Sequence, residues 1–369
     1  MKGKKVAVGL SGGVDSSVAA ALLIEQGYEV HGIYLECYNE PGCRTDQDKK
    51  DALQVALKLG ISFEVIDFRR QYHDKVIEYF YHEYEAGRTP NPDVMCNKEI
   101  KFGIFYDSMR KQGYDFVATG HYVQINQGRL QRAKDESKDQ SYFLWQIPKD
   151  HLEHILFPLG QMLKSEVRAK AVELGLSTAS KPDSMGICFI GEVNVNKLLK
   201  DRLGENEGNV VMYPARPGLA GQGEKDLQGQ ALTGTIVGTH RGLWFYTIGE
   251  RGGFEIDKQK LKKLGLHPEK MKPLYVIGKN IEDNQLIVGM REETMTNKIE
   301  VNSQIINSQI LKLKTKLWVR IRNLGELIEV DNISGDRVTL KEKIFGVAEG
   351  QSAVFYDETG ILVGGSIIV

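Results

Sequence analysis

Three short stretches of the chain carry side chains that could do chemistry. The first is Gly9-Leu10-Ser11-Gly12-Gly13-Val14-Asp15-Ser16-Ser17. Its paired glycines let the backbone turn tightly and bring N–H groups close to a ligand. A helix starting near Asp15 would add free N–H donors and a positive dipole end, and Ser11, Ser16 and Ser17 add hydroxyls; together these make an anion site. The pattern GxxxxGK[ST] is missing, so this is not a Walker loop. The second stretch is Thr89-Pro90-Asn91-Pro92-Asp93-Val94-Met95-Cys96-Asn97-Lys98. Asn91 is a good N-cap and Pro92 a good first helical residue, which predicts a helix start here. Asp93 and Cys96 then share one face. A thiol near a helix N-terminus with Lys98 close by is expected to ionise below its free value of about 8.5, and Asp93 could move a proton. A capped helix with a buried cysteine fits the same letters. The third stretch is Lys181-Pro182-Asp183-Ser184-Met185-Gly186-Ile187-Cys188-Phe189-Ile190. Its apolar surroundings by themselves favour a buried structural Cys188.

These groups need a scaffold, and the first 120 residues or so supply one by alternating strand and helix. Lys5–Gly9, Glu29–Tyr34, Ser62–Asp67 and Phe116–Thr119 read as strands. Asp15–Gln26, Asp46–Leu59 and segments near 70–85 and 98–111 read as helices, with Gly27 and Gly60 as stops. That alternation predicts an α/β fold with a parallel sheet covered on both faces. The glycine-serine loop then sits at the carboxyl edge of the first strand, where such sheets bind ligands. From Leu203 to Gly234 glycine is frequent and periodicity is lost, as in a linker or long loop. A short mixed segment follows. From about residue 274 short β-rich stretches alternate with turn signals such as Ser334-Gly335-Asp336, which predicts a small all-β barrel or sandwich. The expected division is a catalytic domain over 1–202, a small central domain over 203–275 and a β-barrel over 276–369.

Composition sets outer bounds. The chain has 369 residues, 41% hydrophobic and 26% charged, which is ordinary for two or three globular domains. A net charge of −1 leaves nucleic-acid binding to local basic surface. The four cysteines, Cys37, Cys43, Cys96 and Cys188, form no CxxC pair, which argues against a zinc ribbon and a secreted disulfide scaffold. Cys37 and Cys43, in or beside the loop after the second strand, read as structural or incidental. The apolar run behind the basic N-terminus is too short for a signal peptide. The longest other run, Ile361–Val369, is far below the ~20 residues of a membrane span. The expectation is a soluble, cytoplasmic protein that does not meet the membrane.

Ser11-Gly12-Gly13-Val14-Asp15-Ser16-Ser17 resembles the PP-loop signature of ATP pyrophosphatases, which cut ATP between its α and β phosphates. With both cysteine stretches added, the chain resembles the tRNA-specific 2-thiouridylases, the MnmA/TrmU family, over nearly its whole length. The likeness continues through Gly120-His121-Tyr122, Lys138-Asp139-Gln140-Ser141-Tyr142-Phe143-Leu144, Tyr246-Thr247-Ile248-Gly249, Gly350-Gln351 and Gly364-Gly365. The resemblance implies ATP-dependent thiolation of a tRNA wobble uridine at C2, with Mg2+ bridging phosphate oxygens. It implies that Cys188 carries persulfide sulfur from a cysteine desulfurase or a relay protein. Cys96 would release that sulfur, leaving a Cys96–Cys188 disulfide or helping hydrogen sulfide form, and Asp93 would be the general acid/base. By motif match Gly9, Leu10, Ser11, Gly12, Gly13, Val14, Asp15 and Ser16 hold the phosphates, while Leu35 and Gly120 line the nucleotide site. Asn91, Pro92 and Asp93 face a target base drawn out of its stack. His121, Lys138, Asp139, Gln140, Arg322, Asn323 and Gln351 touch tRNA. Without the resemblance His121 would read as a hydrogen-bonded core histidine and Lys138 as a surface charge.

One stretch points to RNA by pattern. From Leu311 to Arg322 every even position is basic except Trp318, so a strand would place five positive charges and an indole on one face. That is either a charge-guarded edge strand or an RNA platform. Glu250, Asn323 and the long glycine-rich stretch 204–233 depart from the family pattern, all outside the catalytic motifs. Two other readings compete: a PP-loop ligase passing nitrogen to a small metabolite, and a tRNA-binding or sulfur-carrier protein without catalysis.

Overall fold

The computed structural model describes residues 3–39, 45–183, 186, 188–189, 194–213, 234–263, 267, 269, 272–302 and 315–369. Cys43 therefore lies outside the described residues, as do Lys312 and Lys314.

The N-terminal domain is built on a parallel sheet whose strands follow the expected pattern: β1 (Lys5–Gly9), β2 (Glu29–Glu36), β3 (Ser62–Asp67) and β4 (Phe116–Ala118). Short strands β5 (Gln124–Asn126) and β6 (Arg129–Gln131) form a separate hairpin, and β7 (Ile155–Leu156) completes the main sheet in the order β3-β2-β1-β4-β7. Val6, Ala7 and Val8 of β1 are wholly buried, as a strand covered on both faces must be. The chain leaves β1 towards β2 on one side and returns to β4 on the other. The loop after β1 thus opens at a topological switch point, where open α/β sheets bind ligands. Helix α1 (Val14–Glu25) follows that loop and α2 (Thr45–Leu59) follows β2. Two longer helices pack against one face of the sheet. The first, α3, runs as Arg69–Tyr72, a π-helical His73–Ile77 and Glu78–Glu85. The second, α4, runs as Pro92–Met95, a π-helical Cys96–Phe105 and Tyr106–Lys111. Helix α5 (Lys164–Glu173) packs on α1.

The central sheet has the order β10-β9-β8-β12-β11, from β8 (Gly208–Met212), β9 (Thr235–His240), β10 (Glu255–Ile256), β11 (Tyr275–Asn280) and β12 (Gln285–Gly289). This corrects two expectations. Gly208–Met212, inside the stretch read as linker, is the middle strand of the sheet. The expected border at 275/276 would detach β11 and β12 from their partners, since β12 pairs in parallel with β8. Low periodicity hid β8 because Val210 and Val211 are both buried, so no alternation is visible.

The C-terminal domain is antiparallel, in the order β13-β16-β15-β14-β17-β18, with β13 (Met295–Glu300), β14 (Leu317–Arg320), β15 (Ile328–Ser334), β16 (Arg337–Phe345), β17 (Ser352–Asp357) and β18 (Leu362–Ile367). A bridge between Val301 and Ile368, with Val369 N–H bonded to the Glu300 carbonyl, joins its two edges into a barrel.

The barrel is docked firmly on the N-terminal domain, and the docking face answers the question of the basic strand. The even face of β14 is not a free platform. Arg320 is buried and its guanidinium reaches Asp139 at 2.8 Å, while Trp318 is half-buried. Around this pair the buried Tyr142 hydroxyl bonds the Ile321 and Ser352 carbonyls at 3.1 Å each, and Trp145 Nε1 donates to Ser352 Oγ. Asp139 itself is 0% exposed and also accepts from Ser141 Oγ and the Ala133 N–H. It holds two domains together rather than touching a ligand. Breaking one side of a buried ion pair leaves an uncompensated charge. Asp139→Ala is therefore expected to cost about 3–5 kcal/mol, read as a fall in the denaturant midpoint. Unchanged stability with weakened tRNA binding would restore the contact role instead.

Candidate active site

The loop after β1 has the build its sequence suggests. Leu10 N–H bonds the Ile33 carbonyl on β2, anchoring the loop to the sheet. Gly12 lies at φ +73°, and a Cβ there would come 2.2 Å from the Asp48 carbonyl oxygen on α2, so only glycine fits. Ser11 Oγ and Ser16 Oγ are 3.1 Å apart, Ser16 Oγ also accepts the Ser11 N–H, and Ser17 Oγ donates to the Gly13 carbonyl at 2.7 Å. Gly13 caps α1 without a side-chain acceptor, so the helix opens with N–H groups available to an anion. Asp15, just inside α1, is held by Lys164 at 2.7 Å and the Tyr122 hydroxyl at 2.8 Å. Lys181 fastens the loop from outside, donating to the Gly12 carbonyl at 2.8 Å and to Asp48 at 2.7 Å. Gly120, after β4, stands against the start of α1: its Cβ would meet Ser16 N at 2.6 Å. Leu35 is buried near the carboxyl end of β2. The expected phosphate and nucleotide residues thus gather at one sheet edge. Among the described residues no cluster of three acidic, histidine or cysteine side chains could hold a metal.

The two distant cysteines meet. Asn91 caps α4 through Val94 N–H and Pro92 occupies the first turn, as its sequence requires. Cys96 follows one turn later, 0% exposed, and its Sγ lies 3.5 Å from Cys188 Sγ across 92 residues of sequence. The Cys188 backbone is gripped from both sides: its N–H donates to Asp93 at 2.9 Å, and its carbonyl accepts from the Tyr72 hydroxyl at 2.6 Å. Phe189, next in line, takes φ +65°, a left-handed conformation that costs a bulky residue about 1–2 kcal/mol.

The electrostatics reverse one expectation. Cys96, not Cys188, was to be the acidic thiol. Burial pushes the Cys96 thiol well up, and its hydrogen bond to Cys188 adds to that. Cys188, receiving that hydrogen bond and facing the Lys101 ammonium, is brought down to about 7. Lys98 does not serve the pair; it is exposed and lies 3.2 Å from Glu99. Asp93 is raised by burial, which suits a group that must both take and give a proton.

Lys101 escaped the sequence reading because of helix geometry. In an α-helix Cys96 shares its face with Glu99 and Ile100. Cys96–Phe105 is π-helical, so the residue five places on comes round over the first. No pattern in the letters marks that register. Lys101 is half-buried, its ammonium 5.5 Å from the Phe189 ring centroid.

The expected tRNA contacts divide. His121 is 8% exposed, bonded to Thr119 Oγ1 at 2.7 Å and pressed between Phe102 and Phe157; burial holds it neutral, well below its usual pKa. It is a core histidine. Gln140 Oε1 accepts the Tyr122 N–H, and Lys138 lies on Asp183 at 2.8 Å, part of an ion-pair group with Lys164 and Arg168. Gln351, at the barrel end, donates to the Thr89 and Pro90 carbonyls at 2.8 and 3.0 Å, while Thr89 N–H bonds the Glu349 carbonyl. It fixes the approach to Asn91. Arg322 is exposed, beside Asn323, whose buried Oδ1 has no protein partner among the described residues.

Comparison with known proteins covers the same ground. The family described as tRNA methyl transferase HUP domain matches residues 4–192; its PRC-barrel companion matches 223–290, and an aminomethyltransferase β-barrel domain matches 296–368. A tRNA-specific 2-thiouridylase MnmA of Streptococcus agalactiae is 40% identical over 382 residues, covering 98% of this chain and 95% of that protein. Its counterpart in Lysinibacillus sphaericus is 38% identical over 380 residues, with 98% and 94% covered. Among solved structures, the U34-tRNA thiolase NcsA of Methanococcus maripaludis has a TM-score of 0.35 at 24% identity over 55% of this chain and 68% of its own. A 4-thiouridine synthetase solved with RNA and ATP has a TM-score of 0.37 at 19% identity, covering 54% and 49%.

Proposed function

The chain belongs to the tRNA-specific 2-thiouridylase family, and we propose that it converts the wobble uridine of tRNA anticodons to 2-thiouridine, using ATP, Mg2+ and persulfide sulfur. The observation that carries this reading is the 3.5 Å contact between Cys96 and Cys188 in a domain whose first loop is a PP-loop.

The chemistry follows from what each group can do. Uridine O2 attacks the α-phosphorus, an O–P bond forms and pyrophosphate leaves. The N–H groups at the start of α1, with Ser11 and Ser16, bind the anionic oxygens and stabilise the charge that develops. Cys188, as thiolate, attacks the outer sulfur of the donor persulfide R–S–SH: Cys188–S–SH forms and R–S⁻ departs to the donor. The terminal sulfur then adds to C2. Asp93 takes up the Cys96 proton, and the Cys96 thiolate attacks the inner sulfur of the persulfide. That forms a Cys96–Cys188 disulfide, leaves sulfur on C2 and expels AMP; thiols from solution restore the cysteines. Attack by Cys96 before addition would instead free hydrosulfide for C2. Sulfur transfer needs two thiols in reach of each other, and amide-forming PP-loop chemistry does not.

The reading is tested by nucleoside mass spectrometry on unmodified tRNA incubated with ATP, Mg2+ and a persulfide. 2-Thiouridine that requires ATP is the expected product. ATP cleavage that leaves tRNA untouched would move the small-metabolite ligase to the front. A pH dependence follows too. With Cys188 at about 7, its loading by persulfide should rise roughly tenfold per unit below pH 7 and level off above it. A flat profile from pH 5 to 9 in a persulfide-loading assay would refute the thiolate role.

A further inference from the structure

Beside the thiols stands a cation that the reaction outlined above leaves idle. Lys101 enters the thiol site only because α4 is π-helical from Cys96 to Phe105. The register is built in by its neighbours. Ile100 and Phe102 on either side are wholly buried, which fixes how α4 can roll. A Cβ on Gly103 would come 2.7 Å from the Lys98 carbonyl oxygen, the closeness of a backbone folded back by five residues. A long π run is rare and such segments occur most often at functional sites.

What the register delivers is an ammonium group 5.5 Å from the ring centroid of Phe189, the residue after Cys188, and within electrostatic reach of both sulfurs and the Asp93 carboxylate. Burial alone would push Lys101 down, but Cys188, Cys96 and Asp93 opposite push it up, so it stays charged. The groups facing Cys188 come from three places in the fold: Cys96, Asp93 and Lys101 from α4, Tyr72 from α3, and Cys37 just beyond β2. Of these only Lys101 carries positive charge. Tyr72 and Cys37 are both raised by burial and stay neutral.

We propose that Lys101 is a positioning residue for sulfur transfer: brought over Cys96 by the π-helical register, its ammonium holds the Cys188 sulfur as an anion in contact with Cys96. The inference rests on the reading of Cys188 as the sulfur acceptor. It assigns the charge that makes Cys188 nucleophilic to a side chain five residues from the other cysteine, rather than to the helix N-terminus or Lys98.

The test needs neither tRNA nor ATP. Alkylation of Cys188 by iodoacetamide is followed by peptide mapping across pH 5 to 10 in wild type, Lys101→Met and Lys101→Arg, with melting temperature recorded for each. The wild-type midpoint is expected near 7. Lys101→Met should move it up by at least about one unit, a roughly tenfold slower reaction at pH 6, and Lys101→Arg should bring it back. If Lys101→Met does not fold, Lys101→Gln takes its place. An unchanged midpoint in the folded neutral variant overturns the proposal, and so does an arginine variant that behaves like methionine. Either result would leave wild-type 2-thiouridine formation standing. Loss of that formation in wild type would instead strike the functional reading, whatever the midpoint.

Discussion

Replacing Cys188 with serine is expected to lower 2-thiouridine formation by at least ~10³-fold while tRNA-dependent pyrophosphate release continues. Serine keeps the size of the side chain and the two backbone hydrogen bonds to Asp93 and Tyr72. It removes the sulfur assigned to accept the persulfide. The activation half uses the loop after β1 and has no need of that sulfur. Cys96→Ser should behave differently, because Cys188 could still be loaded: labelled sulfur should stay bonded to Cys188, as a persulfide or as an adduct with C2 that cannot resolve, and no free 2-thiouridine should form. Measuring nucleoside product, pyrophosphate and protein-bound labelled sulfur in the same reactions separates the steps. Full thiolation by Cys188→Ser would end the cysteine assignment, whatever the pyrophosphate result.

Gly120→Ala should be nearly as damaging for the opposite half. The added carbon would meet Ser16 N at 2.6 Å and the Asp15 carbonyl carbon at 2.7 Å. Both are backbone atoms at the start of α1, so no side chain can swing clear. The first turn must move, and with it the N–H groups that would cradle phosphate. A displacement of about 1 Å in a positioning element can cost ~10²-fold, and a loss of that order in kcat/KM for pyrophosphate release is expected. Overpacking should cost about 1–3 kcal/mol of stability as well. The Cys188 alkylation midpoint should not change. Pyrophosphate release near the wild-type rate would place the phosphates somewhere other than the start of α1.

Where the sequence spoke clearly, a local rule decided the structure. Strand and helix alternated with glycine stops, and β1, α2 and β3 formed within a residue of their expected bounds. Asn91 and Pro92 could only open a helix. It misled where the deciding contact lay far along the chain. His121 and Asp139 carry polar letters beside a site motif, yet one is packed in aromatic rings and the other binds Arg320, 181 residues away. The basic alternation up to Arg322 suggested an open face, and the neighbouring domain covers Arg320. The relative acidity of the two thiols inverted for a third reason. Which of two touching sulfurs holds the proton depends on burial and on Lys101, and neither the contact nor the π register is written in local spacing.

The clamp of Glu349 and Gln351 on Thr89 and Pro90 has a consequence for how the enzyme comes into being. The loop that leads into the helix carrying Cys96 is held by residues made some 260 positions later. Domains emerging from the ribosome fold in order from the N-terminus, so the ATP-binding half can be complete while the entrance to the thiol site still hangs loose. A nascent or truncated chain ending before the clamp would bind nucleotide yet hold its cysteines in an unfinished frame. Quality control that samples only the first domain would pass it as sound.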